Sequence, residues 1–207
     1  MSRTPVIYLH GFASSPGSKK ARQFRDVVQD LIVPDLSETN FENLTITRQL
    51  AVVEREARGR PVALIGSSLG GYLAALYAAR HPEVKRVVLL APAFEFAKRY
   101  AQRLGPEQVD EWRRTGSIDV FHYGENRNCR LGYQLLENAQ HYEDFPEVSQ
   151  PTLIFHGAQD DVVPLELSER FAAGRANVRL EVVESGHELL NVLDYMARRT
   201  LDFLGVD

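Results

Sequence analysis

The chain has 207 residues, of which 44% are hydrophobic and 25% charged, and it carries a formal net charge of −4 at pH 7. A chain of this kind buries a sizeable core as an ordinary globular protein, and its weakly acidic balance lacks the basic footprint that binding to nucleic acid or an anionic membrane requires. Its one cysteine, Cys129, excludes an internal disulfide and any zinc site built from several thiols.

In chain order, Met1-Ser2-Arg3-Thr4-Pro5 leads at once into Val6-Ile7-Tyr8-Leu9. This apolar run is too short for a signal-peptide core, and no later run approaches membrane-spanning length. A cytoplasmic protein without a membrane span is therefore expected. Further apolar runs follow at Leu31-Ile32-Val33, Val62-Ala63-Leu64-Ile65, Val87-Val88-Leu89-Leu90, Thr152-Leu153-Ile154-Phe155 and Val178-Arg179-Leu180-Glu181-Val182-Val183. The first five runs of the series are nearly continuous in hydrophobicity, as in strands covered on both faces. The last alternates, as in an edge strand.

Helical patterns lie between these runs. Phe24, Val27, Val28 and Leu31 share a face after Gly17-Ser18, and Ile46, Leu50, Val53 and Ala57 share another, with Thr45 as N-cap and Gly59 as stop. An Ala- and Leu-rich helix spans 69–80. A last helix starts near His187 or Glu188 and turns Leu189, Leu193, Met196 and Leu204 inward. The alternation predicts an α/β protein: a mostly parallel sheet of about six strands, flanked by helices and joined by right-handed crossovers. Residues 94–148 interrupt it, with no good strand, a polar helix at 106–114 and a second helix candidate at 131–142. An insertion of that length inside a compact domain reads as a cap. The expected organisation is a single domain over 1–207 with a small helical cap or lid at roughly 94–148.

The strand ending at Ile65 runs into Gly66-Ser67-Ser68-Leu69-Gly70-Gly71, and a helix follows directly. Strand, sharp turn and helix are the context in which G-x-S-x-G presents a nucleophile. The turn needs a strained backbone at the serine, and glycines two residues to either side let strand and helix approach closely. The helix N-terminus favours developing negative charge. The phase of the motif selects Ser68 over Ser67.

A serine hydroxyl needs a base to take its proton and a third group to hold that base. In this arrangement the acid and then the histidine follow the serine, each after a strand. Asp160 or Asp161, in His156-Gly157-Ala158-Gln159-Asp160-Asp161-Val162-Val163-Pro164, supplies the acid, and the pattern Gly-x-x-Asp-x-Val-Val-Pro favours Asp160. His187, after Ser185-Gly186, supplies the base. Two backbone N–H groups must meet the oxyanion. One is on Leu69, directly after the serine; the other is on Phe12, in the glycine turn His10-Gly11-Phe12 after the first strand. His81 reads as a helix terminator, and His122, His141 and His156 read as structural or surface residues. Phe94, Phe96, Tyr100, Trp112, Phe121 and Tyr123 either line a pocket or pack the cap onto the domain. No cofactor and no metal are expected.

Tyr8-Leu9-His10-Gly11-Phe12-Ala13-Ser14-Ser15-Pro16, with Lys19-Lys20-Ala21 after it, and Gly66-Ser67-Ser68-Leu69-Gly70-Gly71-Tyr72 resemble the corresponding motifs of the short bacterial YqiA-like serine esterases, in the α/β-hydrolase superfamily. Asp202-Phe203-Leu204-Gly205 extends the resemblance to the last helix. It implies an α/β-hydrolase fold without the first strands of larger hydrolases. It also implies carboxylesterase or thioesterase activity, with triad roles on Ser68, Asp160 and His187 and oxyanion donors at Phe12 and Leu69. The expected partner is a small-molecule ester or thioester, with a homo-oligomer left open. The alternatives are an acyl-CoA thioesterase or another triad-dependent hydrolase such as a peptidase or perhydrolase, and, behind these, a catalytically silent binding module.

Overall fold

Residues 4–205 are described by the structure, a computed structural model. The elements run β1 (Val6–Leu9), α1 (Lys19–Val27), α2 (Ile46–Ala57), β2 (Ala63–Ser67), α3 (Leu69–Arg80), β3 (Arg86–Leu90), α4 (Phe96–Leu104), α5 (Pro106–Thr115), β4 (Ser117–His122), β5 (Arg127–Gly132), α6 (Gln134–Ala139), β6 (Thr152–Gly157), α7 (Leu165–Ala172), β7 (Val178–Val183) and α8 (Leu193–Leu204). Strands β1, β2, β3, β6 and β7 form one parallel sheet in the order β1-β2-β3-β6-β7, and β4 and β5 form a separate antiparallel hairpin.

The continuous apolar runs arise because both faces of the sheet are covered. Val6, Tyr8, Ile65, Val88, Leu90, Leu153 and Phe155 enter one buried layer with Phe24 of α1 and Met196 of α8. Their neighbours Ile7, Leu9, Leu64, Val87, Leu89 and Ile154 enter the other, with Val53 of α2, the apolar residues of α3 and Phe171 of α7. Strand β7 is partly exposed along its length, as its alternation predicts for an edge. The expected Thr45 cap forms, accepting from the Arg48 N–H, and Ser18 likewise accepts from the Ala21 N–H. No helix among the described residues is long and apolar enough to cross a membrane.

Four local expectations are corrected. The run 31–33 is no strand: only Ile32 pairs, with Ile7, through Tyr8 N–H to Ile32 O (2.8 Å) and Ile32 N–H to Val6 O (3.0 Å). Pro34 brings no N–H to continue a ladder, and Asp35 then closes a turn by accepting from the Ser37 and Thr39 N–H groups. Within 94–148 the chain forms the β4–β5 hairpin where no strand is expected. Its outward residues Asp119, Asn128 and Arg130 alternate with inward Ile118, Val120, Cys129 and Leu131, but the pattern is short and exposed Phe121 breaks it. The helix expected at 131–142 is confined to Gln134–Ala139, because Leu131 pairs with Ile118 in the hairpin. The last helix begins at Leu193, not near His187. Before it the chain makes only a 3-10 turn over Leu190–Val192, after Leu189 at φ +56°, where Ser185 Oγ meets Asn191 Oδ1 at 2.6 Å and the Asn191 amide donates to Glu184 O.

Candidate active site

The C-terminal ends of β1, β2, β6 and β7 carry the loops that meet at Ser68. Ser68 lies between β2 and α3, as the N-cap of α3, with φ +53° and ψ −118°, a conformation that L residues rarely adopt. Such a residue costs about 1–3 kcal/mol and persists only where its surroundings over-determine it. Here the Ser68 N–H donates to Leu90 O (2.8 Å), while Ser68 O accepts from Gly71, Ala93 and Tyr72 N–H groups (2.9, 3.0 and 3.1 Å). The flanking glycines are required by contact. A Cβ on Gly66 would lie 2.2 Å from Gly70 O, and one on Gly70 would lie 2.1 Å from Leu9 O. Because those oxygens are backbone, Gly70→Ala is expected to cost at least about 2 kcal/mol, toward the upper part of the overpacking range. Chemical denaturation would read this, and an unchanged midpoint would refute the close approach.

His187 Nε2 lies 3.0 Å from Ser68 Oγ, and His187 Nδ1 lies 2.8 Å from Asp160 Oδ2. Asp161, one residue on, is exposed. The other oxygen of Asp160 accepts from the Val162 and Val163 N–H groups (2.9 and 2.8 Å). Burial pushes the Asp160 carboxyl up, but hydrogen bonds from His156, His187 and the Val163 N–H outweigh it and hold the group well below the usual carboxylate range.

The β1 loop comes against the elbow, since a Cβ on Gly11 would lie 3.5 Å from Ser68 Cβ. Phe12 follows Gly11, and Leu69 opens α3, where the first N–H groups have no acceptor within the helix. His10 braces this loop: it is buried, its Nδ1 meets Gly11 O at 3.0 Å, and its Nε2 accepts from the Leu36 N–H. Burial pushes the His10 imidazole down, toward the neutral ring these partners need.

The other histidines, expected to be structural or surface residues, have varied surroundings. His81 stacks on Tyr77, and His141 is exposed. His122 is buried edge-on to Phe41. His156 differs from these: it is fully buried and 3.2 Å from Asp160 Oδ2. Its signal is present as the spacing His156-Gly157-x-x-Asp160 at a strand end, but the same pattern is equally that of a core histidine. Lys20 is a second residue without an assigned role. Its ammonium is largely buried 3.9 Å from the Glu188 carboxylate, beside His187; burial pushes it down, and Glu188 and Asp160 pull it back up. Phe94, Phe96, Tyr100 and Trp112 are buried, whereas Phe121 and Tyr123 are exposed. Among the described residues no group of three or more His, Cys, Asp or Glu side chains is arranged to hold a metal ion.

The model of a family described as "Uncharacterised protein family (UPF0227)" matches residues 5–204. The mitochondrial palmitoyl-protein thioesterase ABHD10 of Bos taurus is 26% identical over 197 residues, covering 86% of this chain; the chain spans only 64% of that protein's length. The solved structure of alpha/beta hydrolase domain-containing protein 10 from mouse aligns with a TM-score of 0.80 at 21% identity, over 97% of this chain and 89% of that one. Est1E from Butyrivibrio proteoclasticus, with ferulic acid bound, aligns with a TM-score of 0.79 at 22% identity, over 98% and 88%. The fold is that of the α/β-hydrolases.

Proposed function

The chain belongs to the UPF0227 family, and we propose that it is a serine hydrolase cleaving carboxylic esters through an acyl-Ser68 intermediate. The observation that carries this reading is the unbroken hydrogen-bonded line from Ser68 Oγ through His187 to Asp160, at 3.0 and 2.8 Å, beginning on a strained elbow. His187 Nε2 takes the hydroxyl proton as Ser68 Oγ attacks the acyl carbon, then returns it to the leaving group. Asp160 stays ionised, keeps the proton of His187 on Nδ1 and stabilises the imidazolium. The N–H groups of Phe12 and Leu69 receive the oxyanion, each worth about 3–4 kcal/mol in comparable sites. Water, activated by His187, then releases the acid.

In this reading residues 94–148 form a cap over the acyl side. Support comes from contacts on two sides: the Tyr123 N–H donates to Ala13 O (2.8 Å), beside Phe12, and Arg99 Nη2 donates to Val162 O (3.0 Å), beside Asp160.

The test is covalent. A fluorophosphonate probe is expected to label the protein once, on Ser68 by peptide mass spectrometry. A wild-type protein that takes no label would return the chain to a silent binding module. A thioester is the second reading, favoured by the name of the bovine relative. A panel of nitrophenyl esters from about two to sixteen carbons, run beside the matching acyl-CoA compounds, ranks the two.

A further inference from the structure

Two histidines meet the Asp160 carboxylate, and the acyl-serine mechanism uses one. His156 closes β6 with no exposed surface, and Ser168, in α7, is likewise fully buried. His156 Nδ1 lies 2.7 Å from Ser168 Oγ, and its Nε2 lies 2.8 Å from Val163 O and 3.2 Å from Asp160 Oδ2. The partners assign the protons. A carbonyl oxygen only accepts, so Nε2 carries hydrogen, and Nδ1 pairs with the Ser168 hydroxyl. A serine inside a helix commonly turns its hydroxyl back onto the carbonyl four residues earlier; Ser168 instead meets His156 Nδ1.

We infer that His156 is a positioning residue for the Asp160–His187 pair, and that Ser168, His156, Asp160, His187 and Ser68 form one hydrogen-bonded chain in which two Ser–His pairs share a single carboxylate. Val163 O and Ser168 would by themselves satisfy a buried histidine. The added contact to Asp160 Oδ2 is the one with a consequence for the neighbouring site. That oxygen meets His187 Nδ1 at 2.8 Å and lies 3.2 Å from His156 Nε2, whose single hydrogen is shared with Val163 O, while Oδ1 receives two N–H groups from the backbone. Both oxygens are thus held, and His187 Nδ1 addresses an acceptor that does not turn. Small misplacements of such a base lower the rate without weakening substrate binding.

This inference rests on the proposed acyl-serine reading, and the two fail separately. The experiment compares His156→Leu, His156→Gln and Ser168→Ala in the full chain, with nitrophenyl acetate as substrate. His156→Leu removes the donor and is expected to lower kcat by about 10- to 100-fold, the scale of a positional error, with KM within about twofold. His156→Gln can return an N–H toward Val163 O and Asp160 and is expected to recover at least about fivefold of that loss. The double variant His156→Leu/Ser168→Ala should be no slower than His156→Leu alone, because the hydroxyl acts only through the ring. Equal kcat in the leucine and glutamine variants, or wild-type kcat in the leucine variant, overturns the inference. Should neither position-156 variant fold, Ser168→Ala decides: a loss of about threefold or more in kcat at constant KM supports it, and wild-type kcat overturns it. Turnover that survives Ser68→Ala would sink the acyl-serine reading instead.

Discussion

Ser68→Ala is expected to lower kcat/KM for nitrophenyl acetate by about 10⁶-fold, close to 8 kcal/mol of transition-state stabilisation. The substitution deletes one oxygen and leaves the fold's demands in place. The backbone at 68 must still adopt φ +53°, held by Leu90 O and by the three N–H groups on Ser68 O. Unfolding midpoints of variant and wild type should therefore nearly coincide, which separates lost chemistry from lost structure. The hydroxyl and the His187 imidazole act as a unit. Ser68→Ala/His187→Ala should consequently be no slower than Ser68→Ala, with residual turnover supplied by binding and the backbone donors. Activity within tenfold of wild type in the purified single variant would remove Ser68 from the reaction.

Asp160→Asn is expected to cost about 10⁴-fold in kcat, the scale of a reversed histidine tautomer. The direction follows from the local donors. The Val162 and Val163 N–H groups point at Oδ1, so the amide oxygen of an asparagine takes that position and its NH₂ faces the two imidazoles. His187 Nδ1 must then accept, its proton moves to Nε2, and Nε2 no longer receives the proton of Ser68. Asp161→Asn, at an exposed neighbour, should stay near wild type. Stability gives a second readout. The folded-state pKa of Asp160 is lowered, so the carboxylate contributes stability above its unfolded value, about 3.9, and loses it as pH falls through the folded value. The difference in unfolding free energy between wild type and Asp160→Asn should therefore be largest near neutral pH and shrink below about pH 4. A gap that widens on acidification contradicts the assignment.

Features whose physics is local were legible in the residues alone. Gly66, Ser68 and Gly70 announce an elbow because strand, strained serine and close approach occupy adjacent residues. The doubly covered strands announce themselves because each residue from Val6 to Leu9 is buried, whichever face it takes. Thr45 caps its helix with a hydroxyl three residues from its donor.

Elsewhere long-range packing set the outcome. The β4–β5 hairpin alternates only over short stretches, Ile118 and Val120 about Asp119 and Cys129 and Leu131 about Arg130, with Phe121 exposed against the pattern, and its partner surface is formed by distant chain. The run 31–33 contains strand-forming residues but meets Pro34 at the edge of the sheet. The stretch from His187 to Leu193 has helical spacing, yet Leu189 takes a left-handed conformation and side-chain bonds between Ser185 and Asn191 limit the stretch to one 3-10 turn. His156 and Asp160 are four residues apart, but their contact matters only because His187 reaches the same carboxylate oxygen from 27 residues further along the chain, and lies 119 residues from Ser68. Periodicity and turn chemistry report what neighbours along the chain do to one another. Which loops end at the same edge of the sheet depends on the order β1-β2-β3-β6-β7, and that order is set by the packing of both faces together.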